Sequence, residues 1–444
     1  MNVYLHTLGC KVNVVETDSI AALLASEGYT ICERPEEAQV ILLNSCTVTA
    51  SGDSRMRRML HALREAAPDA VLVLTGCYAQ AFPEEAAALP EPDLVTGTGR
   101  RSELPSLIRA CLQQRERRSA VPSAPETFEM LPVGTDAAHT RAFLKIQDGC
   151  DRFCTYCIIP FARGRSRSMP ADKLKAQAAE LRENGFQEIV LCGINLACYG
   201  EKDGRTIADA VRFCAEAGFP RIRLGSLEPD GLTEEVLQAL AEIPSLCPQF
   251  HISVQSGCDR TLAAMHRRYT CAQFLHLAER IRAAFPGASL TTDLMTGFPG
   301  ETEEDFAQTM QFCKEAGFAQ IHTFRYSPRP GTKAASWPEQ IPEAVKKARA
   351  DRLNALAREL HDAWLAGHAG QTAEVLFERE RGRGFHLGHA PDYARVAVPV
   401  QDGDGDWRNT IRRVQITGRQ ALSGGEVLLG KVIREPSDEG SDAG

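Results

Sequence analysis

The chain opens with three short apolar runs, residues 3–5, 40–43 and 71–74, and a cysteine closely follows each: Cys10, Cys46 and Cys77. Helical stretches at about 16–27 and 53–67 separate them. Strand and helix in alternation predict parallel strands joined by crossover helices, here a small doubly wound sheet over residues 1–116. Functional residues of such sheets collect beyond the carboxyl ends of the strands. Three cysteines far apart in sequence should therefore meet on one sheet edge.

A second set is compact: Cys150, Cys154 and Cys157, spaced C-x3-C-x2-C. A tetrahedral zinc site needs four ligands, commonly from C-x2-C pairs. Here no fourth cysteine or histidine follows closely, and His139 lies eleven residues upstream. Three thiolates instead hold three irons of a cubane iron–sulfur cluster and leave the fourth open for chemistry. Two triplets imply two clusters. The other nine cysteines lack ligand spacing and are expected to pack as small apolar residues, Cys192 and Cys198 being nearest the site.

With 444 residues, more than one domain is expected. Proline-bearing residues 117–138 read as a linker. From residue 139 to 368 strand–helix alternation resumes, with strand-like runs near 142–147, 187–192, 220–225, 249–254, 289–295 and 319–326. Six parallel strands are fewer than a full eight-fold barrel, so a partial, open-sided barrel is expected, with Cys150 at its carboxyl-terminal mouth. Residues 370–434 carry short β-like runs, expected to form a small antiparallel β-barrel. Residues 435–444 read as a disordered acidic tail. No apolar run is long enough to span a membrane, and the start lacks the pattern of a signal peptide, so a cytoplasmic, reducing setting is expected. The net charge of −8 does not mark the chain as a nucleic-acid binder. Local basic stretches at 97–118 and at Arg163, Arg165 and Arg167 are either solvated surface or RNA contacts.

The run Cys150–Cys157, with Tyr156 at its aromatic position, resembles the radical S-adenosylmethionine superfamily. The phrases around Gly9-Cys10-Lys11-Val12-Asn13, Asn44-Ser45-Cys46 and Gly76-Cys77 narrow the resemblance to its methylthiotransferases, as do Ser226–Pro229, His251–Gly257, Gly297–Thr302 and Phe324–Thr332. That resemblance implies two 4Fe-4S clusters. One, on Cys150, Cys154 and Cys157, cleaves S-adenosylmethionine to a 5′-deoxyadenosyl radical. The other, on Cys10, Cys46 and Cys77, carries the sulfur to be transferred. It further implies a C-terminal RNA-contacting module of the TRAM type, an electron donor and a sulfur donor. Family members act on tRNA adenosine 37 bearing threonylcarbamoyl, on the same base bearing isopentenyl, or on a ribosomal-protein aspartate. The phrase Gly9-Cys10-Lys11-Val12-Asn13 resembles the threonylcarbamoyladenosine branch, whereas Val14-Val15 depart from its pattern. A zinc-stabilised RNA-binding protein is the non-enzymatic alternative.

Six residues are candidates for cofactor contact: Tyr156 within the compact cysteine run, Gly193, Asn195, Glu228 and Gln255 past strand ends, and Asp293 within a strand. Gly193 and Asn195 suit a tight turn equally well. Asp293, inside an apolar strand, needs either a paired base or a ligand.

Overall fold

The coordinates are a computed structural model, which describes residues 1–433 apart from 115, 124, 135–139, 383, 423 and 424. The expected acidic tail and His139 lie outside the described residues.

Six parallel strands form the first sheet: β1 (Asn2–Thr7), β2 (Thr30–Ile31), β3 (Val40–Ser45), β4 (Val71–Gly76), β5 (Leu94–Thr96) and β6 (Arg118–Ala120), in the order β2-β1-β3-β4-β5-β6. Every residue of β3 and β4 is buried, because helices cover both faces. Helix α1 (Lys11–Ser26) sets Ile20 and Leu24 against Val3, Val40 and Leu42 on one face. Helix α2 (Ala50–Ala66) sets Met56, Leu60 and Leu63 against Ile41, Leu43, Leu72 and Leu74 on the other. The strand order reverses between β1 and β3, the switch point where such sheets bind ligands. One correction concerns the segment read as linker: its residues 118–120 are β6, paired with β5. Three residues of pairing are too short to show in periodicity.

The six expected strands of the second unit are present. Ala142–Lys145, Glu188–Cys192 and Arg221–Leu224 form one parallel sheet. Ser226–Leu227, Gln249–Ile252, Ser289–Thr296 and Gln320–Arg325 form another. The third barrel strand is thus broken at Gly225, and its halves serve different neighbours. Among the described residues the first and last strands do not pair, so the barrel is open-sided. Helices outside it bury a continuous apolar layer against Ile189, Leu191, Ile222, Phe250 and Leu290.

After the helix Glu343–Ala366, five strands close into a barrel: Thr372–Gly382, Phe385–His389, Arg395–Pro399, Ile411–Leu422 and Gly425–Val432. An all-antiparallel barrel was expected. Instead Arg395–Pro399 and Gly425–Val432 run parallel. The reason is parity, since an odd number of strands cannot close with every seam antiparallel. This barrel docks at the amino ends of the central strands. Arg221 and Arg223, both paired with Glu188, donate to the carbonyls of Glu374, His389, Ala390 and Pro391. The opposite, carboxyl-terminal mouth is left to the first sheet. Among the described residues no helix is long and apolar enough to cross a membrane.

Candidate functional site

Cys10, Cys46 and Cys77 follow β1, β3 and β4, three adjacent strands spanning the switch point. Two of them are aimed by glycine. Gly9 has φ +132°, and a Cβ there would lie 2.7 Å from the Cβ of Cys46. Gly76 has φ +98°, and a Cβ there would lie 2.4 Å from Asn44 Oδ1 and 2.5 Å from the Ser45 carbonyl. Only glycine lets the chain turn so sharply against its neighbour. Two buried asparagines lock the edge. Asn13 Nδ2 donates to the Ser45 carbonyl at 2.9 Å, and Asn44 Nδ2 donates to the Asn13 carbonyl at 3.0 Å. The three thiols lie within electrostatic reach of one another.

Cys150, Cys154 and Cys157 sit in the loop after Ala142–Lys145 and Gln147–Asp148, at the barrel mouth. The loop is pinned by Cys150 N–H to Gly164 O at 3.0 Å, Cys157 N–H to Cys154 O at 2.9 Å, and Thr155 Oγ1 to Ala264 O at 2.9 Å. Tyr156 stands edge-on to Phe298, ring centroids 6.4 Å apart, in an apolar cluster with Met265 and Tyr326.

Both sets receive a guanidinium. Arg163 Nε donates to Cys77 Sγ at 3.2 Å, and Arg267 Nη1 donates to Cys154 Sγ at 3.4 Å. Burial pushes the Cys77 thiol up to about 12, against the pull of Arg163, and the Cys150 thiol up to about 11. Deprotonation therefore needs added positive charge, which a cluster's irons supply when they displace the protons. No three His, Cys, Asp or Glu side chains among the described residues are grouped to hold one metal ion. Three thiols in each set match the three cysteines that hold a cubane with one iron left open. The donor sets fit the cluster.

The two sets face each other across a docked interface. Val12 and Val15 of α1 pack on Val190, Cys192 and Ile194 at the carboxyl end of the second barrel strand. Beneath them lies a buried ion network. Glu16 pairs with Arg101 at 2.9 Å, Lys145 at 2.9 Å and Arg163 at 2.8 Å, while Asp148 pairs with Arg163 at 3.0 Å and Arg167 at 2.9 Å. Arg101, Arg163 and Lys145 hold the Glu16 carboxyl at about 2 although burial alone would raise it. A second bridge runs from the loop after the last barrel strand. There Arg329 Nη2 donates to Thr47 Oγ1 and Asp53 Oδ2, both at 2.6 Å, one residue from Cys46. The sequence placed Arg101, Arg163 and Arg167 on a solvated or RNA-binding surface, and all three are buried between domains instead. Arg100, Arg109 and Arg165 remain exposed.

Of the candidates, Glu228 and Asn195 are linked to the loop of the compact triplet, through Arg267 and Gln147. Glu228 pairs with Arg267 at 2.5 Å, the same guanidinium that reaches Cys154. Burial raises its carboxyl and Arg267 opposes the rise. Asn195 is 2% exposed, its backbone N–H donates to Gln147 Oε1 at 2.7 Å, and both atoms of its side-chain amide lack a partner among the described residues. Orphaned buried amide atoms are costly unless a ligand completes them. Gly193 packs against Gln147, with room for no more than a Cβ contact of 3.0 Å. Gln255 holds φ +69°, unusual for a non-glycine residue, with backbone bonds to Asp293 and Met295. Asp293 is paired within the protein, with His251 Nε2 at 3.2 Å and Ser253 Oγ at 2.8 Å. Cys192 and Cys198 are buried, Cys192 in the apolar contact with α1.

Residues 144–313 match the Radical SAM superfamily model, and residues 2–97 match the model described as "Uncharacterized protein family UPF0004". A threonylcarbamoyladenosine tRNA methylthiotransferase MtaB of Bacillus subtilis is 37% identical over 424 residues, covering 93% of this chain and 92% of that protein. This chain belongs to the radical S-adenosylmethionine methylthiotransferase family. The family's iron–sulfur cluster and S-adenosylmethionine are therefore its cofactors. Another relative, the tRNA-2-methylthio-N(6)-dimethylallyladenosine synthase of Cereibacter sphaeroides, is 36% identical over 429 residues, covering 95% and 97%. Among solved structures, the radical S-adenosylmethionine methyltransferase TsrM of Kitasatospora setae shares the fold, with TM-score 0.57 and 15% identity over 75% of this chain and 77% of that one.

Sequence reasoning missed Arg163, Arg267 and Arg329 as site residues. Arg163 had one local signal, six residues past Cys157 in a basic run, but only tertiary contact shows what it faces.

Proposed function

We propose that this methylthiotransferase adds a methylthio group to C2 of N6-threonylcarbamoyladenosine 37 in tRNA. The observation that carries the reading is the opposition of the two cysteine sets, held by Glu16, Arg163 and Arg329 across one interface. When bound, two 4Fe-4S clusters and S-adenosylmethionine supply a carbon radical on one side and an activated methylthio sulfur on the other. Cys150, Cys154 and Cys157 hold the first cluster, and Cys10, Cys46 and Cys77 the second.

The remaining residues position and shield. Arg163 and Arg267 donate to coordinating sulfurs and offset cluster charge. Asn195, Gly193, Glu228, Gln255 and Tyr156 form the S-adenosylmethionine wall, the Asn195 amide offering one donor and one acceptor to its amino-acid end. Asp293 acts through His251, fixing that ring beside His322, whose centroid is 5.7 Å away. The C-terminal barrel serves as a TRAM-type RNA module. Its strand Ile411–Leu422 presents Arg413, Gln415, Thr417 and Arg419 outward. An unpaired loop base is readily splayed into the mouth.

Relatives acting on the threonylcarbamoyl and dimethylallyl nucleosides are about equally similar, so identity does not choose between them. The Gly9-Cys10-Lys11-Val12-Asn13 phrase supports the first. Nucleoside analysis of tRNA from a deletion strain is the test. Loss of methylthio-threonylcarbamoyladenosine is expected, and its undiminished persistence sinks the substrate assignment. Anaerobic assay should give about eight iron and eight inorganic sulfide per chain for two cubanes. Zinc without sulfide would favour a non-catalytic RNA binder. Cys150→Ala should abolish S-adenosylmethionine cleavage, whereas Cys46→Ala should spare cleavage and block sulfur transfer.

A further inference from the structure

Four arginines around the mouth are paired within the protein. Arg163 has Glu16, Arg267 has Glu228, Arg152 has Asp230 at 2.9 Å, and Arg329 has Asp53. Lys11 differs. It is exposed, and among the described residues it has no carboxylate partner. Its place is set by the packing described above. It is the first residue of α1, directly after Cys10, and the next turn of that helix rests on Val190 and Cys192. Lys11 thus lies between Cys10 and the contact of Val12 with the carboxyl end of the second barrel strand. It is near enough that its charge acts on Cys192 and, across the open side, on His322 of the last strand. His322 is exposed there, opposite Asp293 in register.

An exposed cation without a carboxylate partner, one residue from Cys10, suits an anion brought by the substrate. We propose that Lys11 binds the carboxylate of the threonylcarbamoyl arm, and so sets the preference of this enzyme for an adenosine bearing an amino acid over one bearing an alkyl group. The inference rests on the threonylcarbamoyl reading above. A carboxylate entering a partly dehydrated mouth needs a charged partner. The four arginines Arg152, Arg163, Arg267 and Arg329 already have one. An alkyl arm would meet an ammonium it cannot pair with, which lowers its affinity without any steric barrier. Lysine, a point charge on a flexible stem, tolerates the range of poses a mobile side arm takes.

The test uses the reconstituted enzyme and two synthetic anticodon stem-loops. One carries threonylcarbamoyladenosine and the other its carboxamide, the same shape without the charge. Wild-type enzyme should favour the acid over the amide in kcat/KM by about tenfold or more, as a charge-assisted hydrogen bond implies. Lys11→Gln should bring that ratio near one, and Lys11→Arg should largely keep it. Iron and sulfide content is measured alongside to show that both clusters are loaded. If wild-type enzyme modifies the acid but shows no preference over the amide, or if the loaded Lys11→Gln variant keeps the preference, the role of Lys11 is refuted while the substrate reading stands. If wild-type enzyme modifies neither RNA, the substrate reading itself fails and this inference with it.

Discussion

Arg163 Nε lies 3.2 Å from Cys77 Sγ, although 86 positions separate the two residues in the chain. The same guanidinium binds Glu16 through Nη1 at 2.8 Å and Nη2 at 3.0 Å, and Asp148 at 3.0 Å. A single side chain from the barrel thus touches a ligand-bearing loop of the first sheet and the ion network that docks it. This coupling ties the spacing of the two cysteine sets to the integrity of the interface.

Arg163→Ala leaves Glu16 and Asp148 buried with less positive charge around them. Removing one partner of a buried pair costs about 3–5 kcal/mol. Denaturant unfolding of the iron-free protein should show a loss of that size, and iron content after reconstitution should fall most on the Cys10, Cys46 and Cys77 side. Arg163→Lys should recover part of the stability but not the bond to sulfur, because it cannot reach both carboxylates and Cys77 together.

Gly76→Ala places a methyl group against Asn44 Oδ1 and the Ser45 carbonyl at a left-handed φ of +98°. A loss of about 2 kcal/mol or more is expected. Thermal unfolding measures it, and an unchanged midpoint would show that the β4 turn has slack this geometry does not suggest.

Asn195→Ala separates ligand binding from folding. Its amide makes no internal hydrogen bond among the described residues, so removal forfeits little stability, within about 1 kcal/mol. The thermal shift produced by S-adenosylmethionine should shrink clearly in the variant. A destabilised variant with a full ligand shift would mark Asn195 as structural.

Acid should weaken the domain interface in a defined window. The Glu16 carboxyl lies at about 2 in the folded protein against an ordinary value of 4.5, because Arg101, Arg163 and Lys145 outweigh burial. A depressed folded value means the contribution is fully present above about pH 4.5 and is lost as pH falls toward 2. Between those limits wild-type protein should lose roughly 3 kcal/mol more than Glu16→Gln does. Parallel acid-unfolding curves for the two proteins would remove Glu16 from the interface account.

Much of the fold was legible because its signals are local. Apolar runs bounded by turn residues mark β1, β3, β4 and the six barrel strands, and glycine beside cysteine marks turns that the structure requires at Gly9 and Gly76. The strand Arg118–Ala120 and the strand Phe385–His389 were not marked individually, one being three residues long and the other lying between turns. Charge was read less well. Arg101, Arg163 and Arg167 carry the composition of a surface yet are buried, since nothing in a basic run reveals that Glu16 and Asp148 will arrive from other elements. Asp293 presented the reverse case. Its place in an apolar strand demanded a partner, and the structure names it as His251, one strand over.

The sequence by itself determined the chemistry available here: two triplets of thiols, each placed after a strand, and the strands that set them on two sheet edges. Spacing and periodicity suffice for that, because both are properties of neighbouring residues. Only the tertiary structure decided that the two edges face each other. That arrangement depends on α1 packing against the second barrel strand and on the buried pairs of Glu16, Asp148 and Arg163. Those contacts join residues far apart along the chain, and their energy comes from apolar burial and from charge pairing that offsets desolvation, which no local pattern encodes.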